Sequence, residues 1–549
     1  MLNGQMMQMP LLVSSLLEHA RRHAGDVEIV SRRVEGDTHR CTWATLARRA
    51  QQVAQALDRL GCAAGERIGT LAWNGHRHVE LYYGISGSQR VCHTVNPRLF
   101  PEQIAWIIDD AADTVLCFDL SFLPLVEQLA PQLHTVRHYV LMSDRAHMPA
   151  ASTLPGLLCY EDLLDAESGR YAWPQFDEQA AASICYTSGT TGHPKGAVYS
   201  HRSTLLHAMA AAMPDAMNLS GNDVILPVVP MFHVNAWGLP YASAMVGAKL
   251  VLPGPHLDGA SLHALFESEQ VTFSAGVPTV WLGLLTHMER QQLRFSSFRR
   301  TVIGGSACPP AMLRQLQQVH GVEVVHAWGM TELSPLGTLS RLRRHHAGLP
   351  LERREALQAK QGRAIYGVDM AIVDGQGQSL PWDGHSAGDL MVRGHWVVDS
   401  YLGQDAALPL RAVDGQGGWF PTGDVATIDA EGYMQITDRS KDVIKSGGEW
   451  ISSIELENIA MAHPGVQEAA VVAVPHPKWD ERPLLVVVRK PEAADLDRTA
   501  MLGFYEGRIA KWQIPDDVVF VDTLPHTATG KLLKLKLREQ FRGHRLPGL

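Results

Sequence analysis

Short apolar or β-branched runs alternate with longer stretches of helical periodicity from the N-terminal region to about Gly362, and that alternation restricts the chain to parallel strands joined by crossover helices. Arg67–Trp73 is followed by His78–Gly87, Thr114–Asp119 by Leu123–Leu129, and Lys249–Leu252 by Ser261–Glu269. Beyond Gly362 the texture changes to short strands broken by Gly/Asp turns, such as Met370–Val373 before Asp374–Gly375, and Gly388–Arg393, which reads as a mainly β region. After Asp438 a mixed pattern resumes, with Ile454–His463 and Thr499–Lys511 helical and Ala469–Val474 and Leu484–Arg489 extended. The expectation is an α/β fold. A large N-terminal domain, residues 1–438, contains doubly wound αβα subdomains and a β subdomain at about 362–438, and a small mobile α+β domain, 439–549, follows it. A length of 549 residues suits roughly three or four such folding units.

Composition narrows the class. With 46% apolar and 19% charged residues the chain reads as globular and soluble, and a net charge of -9 argues against gathering nucleic-acid phosphates. The seven cysteines are scattered and never spaced as C-x-x-C, which favours reduced thiols in a cytoplasmic protein and argues against a zinc site. The first residues lack a basic start followed by a long apolar core, so neither a signal peptide nor a membrane span is expected. Their leucine spacing suits an amphipathic helix capped near Ser14 or Ser15.

The densest local signal is Tyr186 to Gly196, YTSGTTGHPKG, with four small hydroxyl residues, three glycines and one lysine in eleven positions directly after the apolar run Ala181 to Cys185. Hydroxyls and closely approaching glycine N–H groups form a nest for polyphosphate oxygens, and Lys195 adds a mobile cation. The usual P-loop needs lysine followed directly by Ser or Thr; here Pro194 precedes the lysine and Gly196 follows it, which disfavours that class of kinase or ATPase. Other segments sit at strand ends: Pro230 to Trp237 (PMFHVNAW) after Val224–Val229, Gly304–Gly305–Ser306 after Thr301–Ile303, and Trp328–Gly329–Met330–Thr331–Glu332 after Val322–His326. Trp419 to Asp424 (WFPTGD) supplies an acid suited to a ribose diol, although such pairs are commonly only turns.

Together with GGSACPP, AWGMTELSP, DRSKDVIKSGGEWIS and the terminal TATGK, in that order, these segments resemble the adenylate-forming superfamily: acyl-CoA synthetases, adenylation domains of peptide synthetases and firefly-type luciferases. The resemblance covers essentially the whole chain. It implies that Thr187 and Glu332 contact the magnesium of MgATP, with Ser188, Thr190, Thr191 and Lys195 around the phosphates. It places Val234, Gly305, His326, Ala327 and Thr331 at nucleotide-contacting positions, Trp328 beside adenine and Asp424 on the ribose. Lys531 matches the lysine that bridges carboxylate and α-phosphate, where a fixed cation offsets the repulsion between two anions. Asp438 to Asp442 matches the hinge on which the small domain turns between two half-reactions, with Lys441 at the pivot, Arg439 beside it, and Lys445 and Trp450 reaching the adenylate. Ser446 to Trp450 would then line the approach of the thiol.

The resemblance also bears on the substrate. Peptide-synthetase domains place an aspartate after the aromatic of PMFHVNAW to pair with a substrate ammonium; Phe232-His233-Val234-Asn235 has none, so an amino acid would bring an unpaired charge into a desolvated site. His233, expected at the reacting centre, and Trp237, matching a gate in fatty acyl relatives, would wall an apolar slot. NPRLFPEQ, VPMFHVNAWG, IKSGGEWIS, KWDERPLL and AKWQIPD resemble bacterial medium-chain fatty acyl-CoA ligases and, equally, the 3-methylmercaptopropionyl-CoA ligases of marine bacteria. The implied reaction converts a short- to medium-chain acid, MgATP and CoA to acyl-CoA, AMP and pyrophosphate, through an acyl-AMP, in a protein that pairs as a homodimer. The alternatives are methylmercaptopropionate as the acid, a luciferase-like monooxygenase using the same adenylate, and a non-catalytic nucleotide-binding protein.

Overall fold

The computed structural model describes residues 2–187, 193–403, 410–446, 449–526 and 532–547, with the backbone alone at 447–450 where it is described. The described residues form two compact units. The first holds residues up to 187, 193–369 and 393–403; the second holds 370–392 and 410 onward. The β region expected inside the large domain therefore packs with the C-terminal segment.

The first unit carries two mainly parallel sheets. One has seven strands in the order Leu158–Cys159, His138–Leu141, Asp113–Phe118, Arg67–Leu71, Val91–Thr94, Ala181–Tyr186, Gly196–Ser200, parallel except for the last pair. The other has nine, running Arg363–Ala364, Leu336–Ser340, Glu323–Gly329, Arg300–Ile303, Phe273–Gly276, Val224–Pro227, Lys249–Leu252, Glu28–Arg32, Thr38–Thr42, with antiparallel pairs at both edges. Crossover helices fill the layer between and cover the outer faces, as the alternation in the sequence requires. Helix His76–Gly87 is buried along its whole length and touches strands of both sheets. Its neighbour, helix Trp43–Arg59, comes so close that a Cβ on Gly84 would lie 2.6 Å from Val53, so glycine is what permits the approach.

The N-terminal helix, Val13–His23, is not capped by Ser14 or Ser15. Its first N–H, from Val13, donates instead to Nδ1 of buried His201 at 3.1 Å, while Leu11 N–H donates to Glu178 at 2.8 Å. A partner far along the chain satisfies a donor that a local serine was expected to take. His201 opens helix His201–Ala212, whose His207 accepts from Leu336 N–H at 3.3 Å and meets Trp396 edge to face.

In the second unit, the sheet built on Val368–Val373, Gly388–Gly394, Gln416–Ile428 and Arg411–Val413 is extended by Met434–Arg439. The C-terminal sheet pairs Val466–His476 with Asp480–Arg489 along their length, and Asp517–Phe520 adds in parallel. Alternation sorts these strands between two cores. Val471, Leu485 and Val487 pack with helices Ser453–Met461 and Arg498–Tyr505, while Ala470, Val472, Leu484 and Val486 pack with Leu537 of helix Lys534–Gln540. The helix expected over Thr499–Lys511 ends at Tyr505, just before Gly507 turns the chain with φ +72°.

Burial drives the pKa of His201 down to about 4 and that of His207 to about 3, so both imidazoles are neutral acceptors in the folded state. Because these values are depressed, their contribution to stability is complete above pH 6.5 and is lost as the pH falls from 6.5 toward 3. The thermal midpoint is expected to stay level above pH 7 and to drop through that window. His207→Gln lowers the midpoint at every pH but flattens the acid slope, as denaturation scans across pH would show; an unchanged slope would remove His207 as its source.

Candidate active site

The hydroxyl- and glycine-rich segment joins strand Ala181–Tyr186 to the edge strand Gly196–Ser200 of the seven-stranded sheet. Its neck is closed twice: Thr187 N–H donates to the Lys195 carbonyl at 2.9 Å, and Lys195 N–H donates to Thr187 Oγ1 at 3.1 Å. The second bond fixes the Thr187 hydroxyl as an acceptor and leaves its proton free to point elsewhere. His193, beside the neck, stacks on Trp106 at 4.6 Å, and Tyr186 is held by Asp110 at 2.7 Å.

Glu332 lies on the short turn Thr331–Leu333 after strand Glu323–Gly329 and is only 7% exposed. Tyr401 donates its phenolic hydrogen to Glu332 Oε1 at 2.6 Å, and the Lys195 ammonium sits over the Tyr401 ring, 5.0 Å from its centre. Burial and the adjacent Glu332 carboxylate hold the Tyr401 phenol well above its ordinary range, so it stays a donor. The main chain is tied as well: Tyr199 donates to the Thr331 carbonyl at 2.5 Å, Val398 N–H to the Glu332 carbonyl at 2.9 Å, and Leu402 N–H to Gly196 at 2.8 Å. One bond from Tyr401 thus leaves the other oxygen of a nearly buried carboxylate for a ligand.

Beside this anchor, the turn Gly304–Gly305–Ser306 follows strand Arg300–Ile303, with Gly305 at φ +81°. His326 supports it from behind, donating from Nδ1 to the Ala359 carbonyl at 2.9 Å and accepting Cys308 N–H at Nε2 at 3.3 Å. Both ring nitrogens are engaged and burial lowers the pKa, so His326 offers its main chain rather than its imidazole. The Trp328 ring occupies the space a side chain at Gly337 would fill.

The segment after Phe232 departs from expectation. Val234, Asn235, Ala236 and Trp237 have φ of 47°, 50°, 50° and 56°, and Gly238 follows at 77°. Four successive non-glycine residues in the left-handed region cost about 1–2 kcal/mol each. Asn235 anchors them: its amide donates to Ser183 Oγ at 2.8 Å, and its carbonyl lies 3.4 Å from both Cys185 Sγ and the Tyr82 hydroxyl. His207 occupies the place where a Cβ on Gly238 would lie. The run turns the buried Trp237 ring onto Gly304 and Gly305, while His233, half-buried, precedes it.

The first unit therefore brings together Thr187, Lys195 and Glu332, and ranges Val234, Gly305, His326, Ala327, Trp328 and Thr331 near them along neighbouring strand ends. Asp424, Arg439, Lys441 and Lys445 belong to the second unit. There Asp424, 2% exposed, is the register partner of Arg439, whose guanidinium lies 2.8 Å from its carboxylate, and Lys445 N–H donates to Glu481 at 2.8 Å. Ser188, Thr190, Thr191 and Lys531 lie outside the described residues, as does the Trp450 side chain. Tyr401, Tyr199 and His207 escaped the reading of the sequence, and Asn235, although inside PMFHVNAW, was given no role. Each acts through a partner fifty or more positions away.

Strand-end turns that gather main-chain N–H groups, a lysine and a held carboxylate define a nucleotide-binding enzyme of the α/β class. The chain belongs to the AMP-binding enzyme family, whose profile matches residues 16–402, with the profile of the AMP-binding enzyme C-terminal domain matching 455–531. It is 55% identical to a 3-methylmercaptopropionyl-CoA ligase of Ruegeria lacuscaerulensis, covering 98% of this chain and 99% of the relative. It is 51% identical to a medium-chain-fatty-acid–CoA ligase of Ectopseudomonas oleovorans, covering 98% and 97%. Among solved structures, the anthranilate CoA ligase AuaEII with anthranoyl-AMP superposes with a TM-score of 0.83 at 25% identity, covering 98% of both chains.

Tyr401→Phe removes the hydrogen bond to a buried carboxylate, worth about 1.5–3 kcal/mol. ATP affinity in the presence of magnesium, measured by calorimetry, is expected to weaken about tenfold. Unchanged affinity would show that Tyr401 does not set the orientation of Glu332.

Proposed function

We propose that the protein is a cytoplasmic, AMP-forming acyl-CoA ligase that activates a short- to medium-chain carboxylic acid. The observation that carries the reading is the closed Thr187–Lys195 neck beside the Tyr401-held Glu332, within a chain that belongs to the AMP-binding enzymes along most of its length. In the first half-reaction a carboxylate oxygen of the acid bonds to the α-phosphorus of ATP and the bond to pyrophosphate breaks. In the second, the CoA sulfur bonds to the acyl carbon, AMP leaves, and the thiol proton passes to solvent.

Lys195 and the hydroxyls Ser188, Thr190 and Thr191 hold the phosphate chain, Asp424 the ribose, Arg439 and Lys441 the nucleotide side of the hinge, and Lys445 and Trp450 the adenylate. Thr187 and Glu332 would hold a magnesium ion. One hydroxyl and one carboxylate oxygen are the hard donors that ion favours, and its charge would offset that of the phosphates. Lys531 stabilises the charge developing as the two anions meet. His233 and Trp237 bound the acyl slot. The small C-terminal domain, from residue 439, rotates about Lys441 between the half-reactions, and the protein works as a homodimer.

A second reading of the acid, 3-methylmercaptopropionate, is favoured by the relatives of that name at 55% and 53% identity. A thioether sulfur replaces a methylene with little change of shape, and one methylene alters binding by about 1 kcal/mol. Acids from acetate to dodecanoate, with methylmercaptopropionate, at saturating CoA would place a kcat/KM maximum between four and eight chain atoms, about tenfold above acetate; no thioester with any of them would overturn the ligase. Lys531→Ala is expected to abolish carboxylate-dependent ATP–pyrophosphate exchange and to retain thioester formation from supplied acyl-AMP. Equal loss of both would sink the role given to Lys531.

A further inference from the structure

The second unit buries a group of charged side chains that the two-step reading leaves without a task. Strand Met434–Arg439 carries the fully buried Asp438. Its carboxylate accepts from Ser453 twice, from the N–H at 2.5 Å and from the hydroxyl at 2.9 Å, and from Arg439 N–H at 2.7 Å. Ser453 is the first residue of helix Ser453–Met461. Lys534, the first residue of helix Lys534–Gln540, donates to the same Ser453 hydroxyl at 2.6 Å and pairs with Glu457 at 2.7 Å. Glu457 also accepts Val471 N–H at 2.8 Å. One turn further along the Lys534 helix, Arg538 pairs with Asp442 and donates to the Lys441 carbonyl at 3.2 Å. One short helix therefore grips both ends of the segment 438–442.

Two placements say what the grip acts on. Asp438 and Arg439 are register partners of Val425 and Asp424, so the gripped strand is the neighbour of the one that carries the proposed ribose ligand. Lys534 follows Lys531 by three positions in the sequence. The chain on either side is fixed by the bridge between His526 and Leu532 and by Leu533 N–H donating to the Pro525 carbonyl at 2.8 Å.

We propose that Lys534 and Glu457 are positioning residues for the adenylation half-reaction. The sequence Lys534–Ser453–Asp438, buried at its last two members, ties the helix that follows Lys531 to the strand pair that carries Asp424, and it must release for the hinge to turn toward thioester formation. The proposal rests on the roles given above to Lys531 and Asp424. A plain internal support of the small sheet would serve both half-reactions alike; a tie across the hinge serves one.

The test uses full-length Lys534→Met, Lys534→Arg and Glu457→Gln in two assays, carboxylate-dependent ATP–pyrophosphate exchange and thioester formation from supplied acyl-AMP and CoA. Lys534→Met is expected to slow exchange about tenfold or more while leaving thioester formation within about twofold, with Lys534→Arg recovering most of the exchange and Glu457→Gln intermediate. The same loss in both assays, or no loss in either, overturns the proposal. Should Lys534→Met fail to fold, the near-isosteric Glu457→Gln decides by the same ratio. A wild-type protein without exchange would overturn the ligase reading instead, and Lys531→Ala with normal exchange would overturn the assignment of Lys531.

Discussion

Burial of uncharged polar side chains between two sheets, each matched to a main-chain group across the layer, is the constraint on which the large unit depends. Asn74 donates to the carbonyls of Pro227 and Val229 and accepts from Met231 N–H. Tyr83 donates to Pro240, Trp43 to Ala248, and His201 accepts from Val13. Each of these groups would lose about 1–3 kcal/mol if left unpaired in that layer, so the bonds fix the two sheets in one register rather than merely adding adhesion. The positions of the strand-end turns follow from this, because they are the ends of strands in both sheets.

Charge is handled differently from polarity. Glu332 keeps a neutral donor, Tyr401, as its protein partner, while Lys195 stays exposed and, among the described residues, lies over the face of the same ring. An ion pair between the two would spend both charges on each other; an intervening phenol keeps the carboxylate and the ammonium apart and available. The imidazole of His326 is likewise committed within the protein, to Ala359 and Cys308.

Much of this was readable from the sequence, and the failures have physical causes. The βα alternation gave the sheets because period-2 and period-3.6 patterns are local, and the strands at Lys249–Leu252 and the helix at Leu123–Leu129 match residue for residue. The strand-end motifs were legible because glycines and hydroxyls in such density have few structural uses. The cap at Ser14 or Ser15 failed because a distant histidine outcompeted it, and the helix over Thr499–Lys511 failed because a turn at Gly507 cuts its period short. Tyr401 was invisible, and the role of Asn235 inside PMFHVNAW was not legible, since both roles exist only once distant strands are neighbours. The left-handed run was equally hidden, as Val-Asn-Ala-Trp carries no glycine to announce it.

That run has a consequence for how acid preference changes over time. The direction in which Trp237 points is dictated by backbone handedness, and the handedness is sustained by buried Asn235 on Ser183, Cys185 and Tyr82. On the acyl slot proposed above, trimming the tryptophan would alter the volume and leave the axis in place. Drift at the supporting residues would release the turn toward the right-handed region and swing the ring with it. With the slot placed there, acid length would change gradually through the ring and abruptly through its scaffold, two evolutionary steps of very different size.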